Sequence, residues 1–142
     1  ADLRWVNVGV APFMRLVMMI NFPNENLYSA ITQSSIVYIS MQCAYLNDVG
    51  SVVKDKGSNE VNYYLEVAPK AVGKPADILE QMDISEQANV REQANILEQS
   101  NKYLEMVDLS HNLKHVLRSA IHGSYLLYTL SERYFGRTKS NW

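Results

Sequence analysis

Apolar residues run almost unbroken from Phe13 to Ile20, with Arg15 the one charge among them. Pro12 precedes them where the first turn of a helix tolerates proline, and Phe22-Pro23-Asn24-Glu25-Asn26 reads as the turn that follows. The pattern predicts a short helix over residues 13–21, entered from a looser alternation between Leu3 and Val10. From Leu27 to Val49 no Gly or Pro intervenes, Asn24 or Asn26 can cap the start, and Gly50 stands where a left-handed C-terminal residue is wanted. Leu27, Ile31, Tyr38, Tyr45 and Val49 share one face of that second helix, while Ile36, Ile39, Cys43 and Leu46 cover much of the rest. A helix apolar nearly all round belongs at the centre of a bundle.

Residues 54–59, with Gly57, Ser58 and Asn59, form the clearest loop, and residues 60–67 read as a short helix stopping before Pro69. After Gly73-Lys74-Pro75 the chain runs 47 residues, from Ala76 to His122, with neither Gly nor Pro and with strong helical preference. One unbroken helix of that length would extend about 70 Å. A compact domain of this size is roughly 35–40 Å across. The run must therefore turn, between about Asn95 and Asp108, or project from the body. A C-terminal helix is expected over about residues 103–134, with Gly136 as its stop and Arg133, Arg137 and Lys139 near its end.

Within the run, residues 78–101 are four tandem hexads, ILEQMD, ISEQAN, VREQAN and ILEQSN. A step of six residues turns a helix by about 240°, so Ile78, Ile84, Val90 and Ile96 point in three directions and make no continuous stripe. Each boundary pairs an Asx with a Glu three residues on, at Asp83/Glu86, Asn89/Glu92 and Asn95/Glu98, the spacing of a capping box and hence a place to break. The rival reading is a left-handed β-helix, whose hexads also begin with Ile, Leu or Val. Four hexads are too few to stack a buried core, and Glu and Gln form strands poorly. The pattern as a whole predicts an all-α fold, a bundle of about five helices. Its long polar helix lies over residues 76–101, a long C-terminal helix follows, and residues 1–142 form a single domain.

Composition changes this picture little. The 142 residues are 47% hydrophobic and 20% charged, enough for a core, and a net charge of −2 lacks the Lys/Arg density that nucleic-acid binding needs. Residues 78–101 hold five acids and one base, and residues 102–142 six bases and three acids. That polarity suits a charged partner or a second copy, and equally two solvated faces. The apolar stretch from Val6 to Phe22 is too interrupted to span a membrane. A first residue other than Met is what signal-peptide removal or trimming leaves, which gives an expectation of a secreted or periplasmic protein.

Candidate chemistry is sparse. His111, His115 and His122 fall within about 40° of one another on a helix, opposite Leu109, Leu113, Val116, Ala120 and Leu127. An i, i+4 pair of histidines can hold Zn, Ni or Cu, with Zn or Ni the metals expected, although a defined site needs ligands from a second element. A pH-sensitive contact or a plain solvated face fits the same residues. Cys43, the lone cysteine, excludes an internal disulfide and sits among Val37, Ile39, Met41, Ala44 and Leu46 as a buried structural residue would. Met14, Met18 and Met19 with Phe13 and Phe22 suit either the core or a docking face. No histidine has a Glu three residues before it, and no phosphate loop, GxSxG, HExxH or CxxC occurs.

These features lead to a small non-catalytic interaction protein, of inhibitor or immunity type, that works by occupying a protein partner or a second copy of itself. Glu80, Gln81, Glu86, Gln87, Glu92 and Gln93 on the polar helix are its candidate contacts. The alternative is a metal- or small-ligand-responsive bundle using the His111/His115/His122 face. An enzyme comes third, for want of a motif.

Overall fold

The computed structural model describes the backbone of residues 9–51 and 82–130 and the side chains of residues 9–51 and 90–130. The loop expected at 54–59, the short helix at 60–67, the start of the polar run and the chain after Leu130 lie outside these. Among the described residues there are four helices and no strand: α1 (Val10–Asn21), α2 (Ala30–Gly50), α3 (Met82–Met106) and α4 (His111–Leu130).

Helix α1 starts three residues earlier than the pattern predicts. Gly9, at φ 72°, turns the chain into it, and Pro12 sits inside the first turn, where its missing N–H would have had no intrahelical acceptor. The Phe22 N–H closes the other end on Met18 O at 2.8 Å, and Pro23 follows.

The cap of α2 is neither Asn24 nor Asn26 but Ser29, whose Oγ accepts the Thr32 N–H at 3.1 Å and donates to Thr32 Oγ1 at 2.8 Å. Asn26 is occupied one turn upstream, its Oδ1 accepting the Tyr28 N–H at 3.2 Å in an Asx turn. Gln33 then ties helix, loop and α1 together: its amide donates to Leu27 O, and its Oε1 accepts from Arg15 Nη2 at 3.0 Å.

The long run breaks at residues 107–110, past every repeat boundary. Asn89 and Asn95, like Asp83, lie on continuous helical backbone, so the capping-box spacing does not interrupt it. The break falls instead where a capping residue has a tertiary partner. Ser110 has one: its Oγ accepts the Leu113 N–H at 3.3 Å to cap α4 and donates to Glu25 Oε1 at 2.9 Å, with Asn112 Nδ2 reaching the same oxygen at 3.4 Å. The C-terminal helix therefore begins at His111 rather than near Tyr103.

Helices α2 and α4 form the central pair, and α1 and α3 each pack against both. The core joins Met14 and Met18 of α1, Ile36, Ile39, Leu46 and Val49 of α2, Ile96 and Leu104 of α3, and Leu117 and Ile121 of α4. Small hydroxyls are buried beside them and satisfied within their own helix. Ser35, Ser40 and Ser100 donate to Ile31 O, Ile36 O and Ile96 O at 2.8, 2.6 and 2.8 Å. The Tyr103 ring lies 4.1 Å from that of Tyr38 between centroids, and its hydroxyl meets Ser35 Oγ at 2.9 Å.

Gly50 is not the left-handed cap its position suggests. It is the last helical residue of α2, and the only positive-φ glycine among the described residues is Gly9. A Cβ on Gly50 would lie 2.8 Å from Gln93 Nε2, 3.1 Å from Tyr128 Cβ and 3.2 Å from Tyr128 O. The glycine is there because α3 and α4 both press onto the end of α2.

Gly50→Ala should therefore destabilise the fold by about 1–2 kcal/mol through overpacking. Gly123→Ala, with nothing within 4 Å of its new Cβ, should stabilise it by about 0.5 kcal/mol through helix preference. Urea titrations of the two variants check the opposite signs.

Candidate interaction face

A twelve-residue helix lying on two others can bury only one side, and α1 is apolar on two. Ala11, Met14 and Met18 take the inner side and are almost fully buried. On the outer side Phe13, Leu16, Met19 and Ile20 are 66%, 53%, 52% and 68% exposed. Phe13, Leu16 and Ile20 stand at i, i+3 and i+7, so their side chains form one row along the helix. The methionine group thus divides: Met14 and Met18 belong to the core, and Met19 with Phe13 faces outward.

No charge interrupts the row. Arg15, the only ionisable residue of α1, is half-buried and held by Gln33 at one flank. A face of this kind is the feature in a folded chain that calls for explanation, whereas a single exposed leucine does not.

The residues singled out from the repeat fare differently from one another. Glu80 and Gln81 lie outside the described residues, and Glu86 and Gln87 are placed only as helical backbone. Glu92 is half-buried. Gln93 is 1% exposed, which removes it from any partner surface and corrects the expectation that it faces solvent. The cause is the 240° step: the four glutamines point in three directions, and the copy at position 93 turns into the α2–α4 pair. Among the described residues its Nε2 finds no hydrogen-bond acceptor. Glu98 and Lys102 form an exposed 3.0 Å ion pair, worth little in water.

His111, His115 and His122 are all exposed along α4. His122 Nε2 lies 3.0 Å from Asn101 Oδ1, a pairing with α3 rather than with a carboxylate. Among the described residues no group of three or more His, Cys, Asp or Glu side chains is placed to hold a metal ion. None of their helices is long and apolar enough to cross a membrane.

Cys43 is fully buried, its Sγ 3.9 Å from Ala120 O. Burial pushes its thiol up from 9.0 to about 11, partly offset by a hydrogen bond with Ser124. A thiol so placed stays protonated and is no nucleophile.

Comparison with protein families, with curated proteins and with solved structures finds no match to this chain.

Because the raised thiol is neutral in the folded chain and ionises near pH 9 in the unfolded one, its contribution is complete below pH 9. It is lost as pH rises through about 11. The stability difference between the wild type and Cys43→Ala should therefore narrow across that interval, as read by urea midpoints at pH 8, 9.5 and 11. A constant difference would show that the thiol is not desolvated. Iodoacetamide at pH 8 should label Cys43 only after unfolding.

Proposed function

We propose that the protein is a non-catalytic interaction module, acting as an inhibitor or immunity-type protein does, by seating α1 in an apolar groove of a protein partner. The observation that carries this is the outward row of Phe13, Leu16 and Ile20, with Met19 beside it, on a helix whose opposite side is already committed to the core. The i, i+3, i+7 spacing is the one by which a helix presents anchors to a groove. An uncharged row requires an apolar, uncharged surface opposite it. The buried area, not charge pairing, would supply the affinity.

This places the contact away from the polar repeat. The histidine face, which belongs to the alternative of a metal- or ligand-responsive bundle, lies on a different helix, so the two readings separate by mutation.

Leu16→Asp/Ile20→Asp, at exposed positions, should leave the thermal transition within about 0.5 kcal/mol of wild type. The same double variant should lose at least ten-fold in retention of a stoichiometric protein partner from an extract of the source cells, whereas His115→Ala retains it. Equal retention by the double variant would contradict the reading. Loss on His115→Ala instead would favour the histidine face.

A further inference from the structure

The stripe by which α3 enters the core is Gln93, Ile96, Ser100 and Leu104, each at most 2% exposed. Three of these occupy the fourth, first and fifth places of a hexad. Leu104 occupies a third place, three residues after the last copy ends at Asn101.

Six residues earlier in the chain stand Gln87, Val90, Ala94 and Glu98, and six earlier again Gln81, Ile84, Ala88 and Glu92. A slide of α3 by one or two units would therefore refill the first three core places with the same or closely similar residues. Two of the half-buried places, those of Glu92 and Asn101, would receive Glu86 and Asn95 in a slide of one unit, no change at all. One slide of six residues moves the helix by about 9 Å along its axis and turns it by about 240° about that axis. The turn at 107–110 would take up the surplus, and the closure cost of a loop grows slowly with its length. A slide in the opposite sense is blocked at once, since it puts Lys102 in the place of Ile96.

A one-unit slide also puts Arg91 and Asn101 in the half-buried places of Leu97 and Val107, where long or polar side chains still reach water, so the sharpest difference between the registers is the fourth place. In either slipped register a glutamate of the repeat would fill the fully closed site of Leu104, where a carboxylate is shut off from water. Tyr103 adds to this, because Leu97 in its place would have no hydroxyl for Ser35.

We propose that the invariant glutamate of the hexad, Glu98 first, is a register guard: solvated while α3 is correctly docked and forbidden from the site of Leu104, it keeps a repetitive helix from sliding by one unit. In the docked helix Glu98 is 64% exposed and touches only Lys102 among the described ion pairs, so its replacement costs the observed register almost nothing.

Spin labels on Asn95→Cys and Ser119→Cys, both exposed sites, read the position of α3 against α4 by pulsed electron resonance; buried Cys43 stays unlabelled. The wild type and Glu98→Gln should show one distance. Glu98→Leu should show a second population of at least one molecule in ten at a distinct distance, because residue 95 then stands where Asn101 stood. Adding Leu104→Ala should make that population the major one. A single wild-type distance in Glu98→Leu overturns the proposal, and that variant decides the matter even where the double variant fails to fold.

Discussion

The contact on which the arrangement depends is the three-helix junction at Gly50. Gln93 of α3 and Tyr128 of α4 both come so near the last turn of α2 that a methyl group there would lie within 2.8 to 3.2 Å of them. That approach sets the depth to which α3 sinks into the groove between α2 and α4, and through it which of its residues are buried. It also has a cost. The Gln93 amide is enclosed with its Nε2 unpaired among the described residues, an arrangement that typically forgoes about 1–3 kcal/mol. A buried polar group of that kind is retained elsewhere for the conformation it specifies rather than for stability. Because glutamine recurs in every hexad, here it cannot specify register by itself. Tyr103 and Leu104, just beyond the repeat, are where a slipped register would differ, placing Leu97 and Glu98 there instead.

Close helix approach explains a second peculiarity. Thr32, Ser35 and Ser40 are buried on α2 while Ile31 and Met41 of the same helix are largely exposed. Small hydroxyl residues that return their hydrogen bond to the preceding turn let backbones come together without leaving a donor unsatisfied. A core made in this way uses fewer large apolar side chains than the chain contains. The surplus on α1 faces outward, where it becomes the surface available to a partner. Packing and the proposed function are in this sense one feature seen from two sides.

Helical content was legible because long stretches without Gly or Pro allow little else. The turn after α3 was legible as a length constraint, but its place was not, since it depends on Glu25 reaching Ser110 from a loop 85 residues away in sequence. For the same reason Asn26, a good cap taken alone, lost α2 to Ser29 once it was engaged by Tyr28. Gly50 looked like a helix stop because close approach between helices and termination call for the same residue. The outer face of α1 left a usable trace, a helix too apolar for one side. The burial of Gln93 left none, because a hexad marks its four glutamines as equivalent and only the packed neighbours distinguish one of them.

The central claim, that α3 docks in one register with Gln93 against Gly50, is tested most directly by the nuclear Overhauser effects of Gly50 Hα in the folded protein. Cross-peaks to the side-chain amide protons of Gln93 and to the Hβ protons of Tyr128, together with ring contacts between Tyr38 and Tyr103, are the predicted result. Cross-peaks from Gly50 to the amide of Gln87 or Gln99 instead, or to none of them, would contradict it.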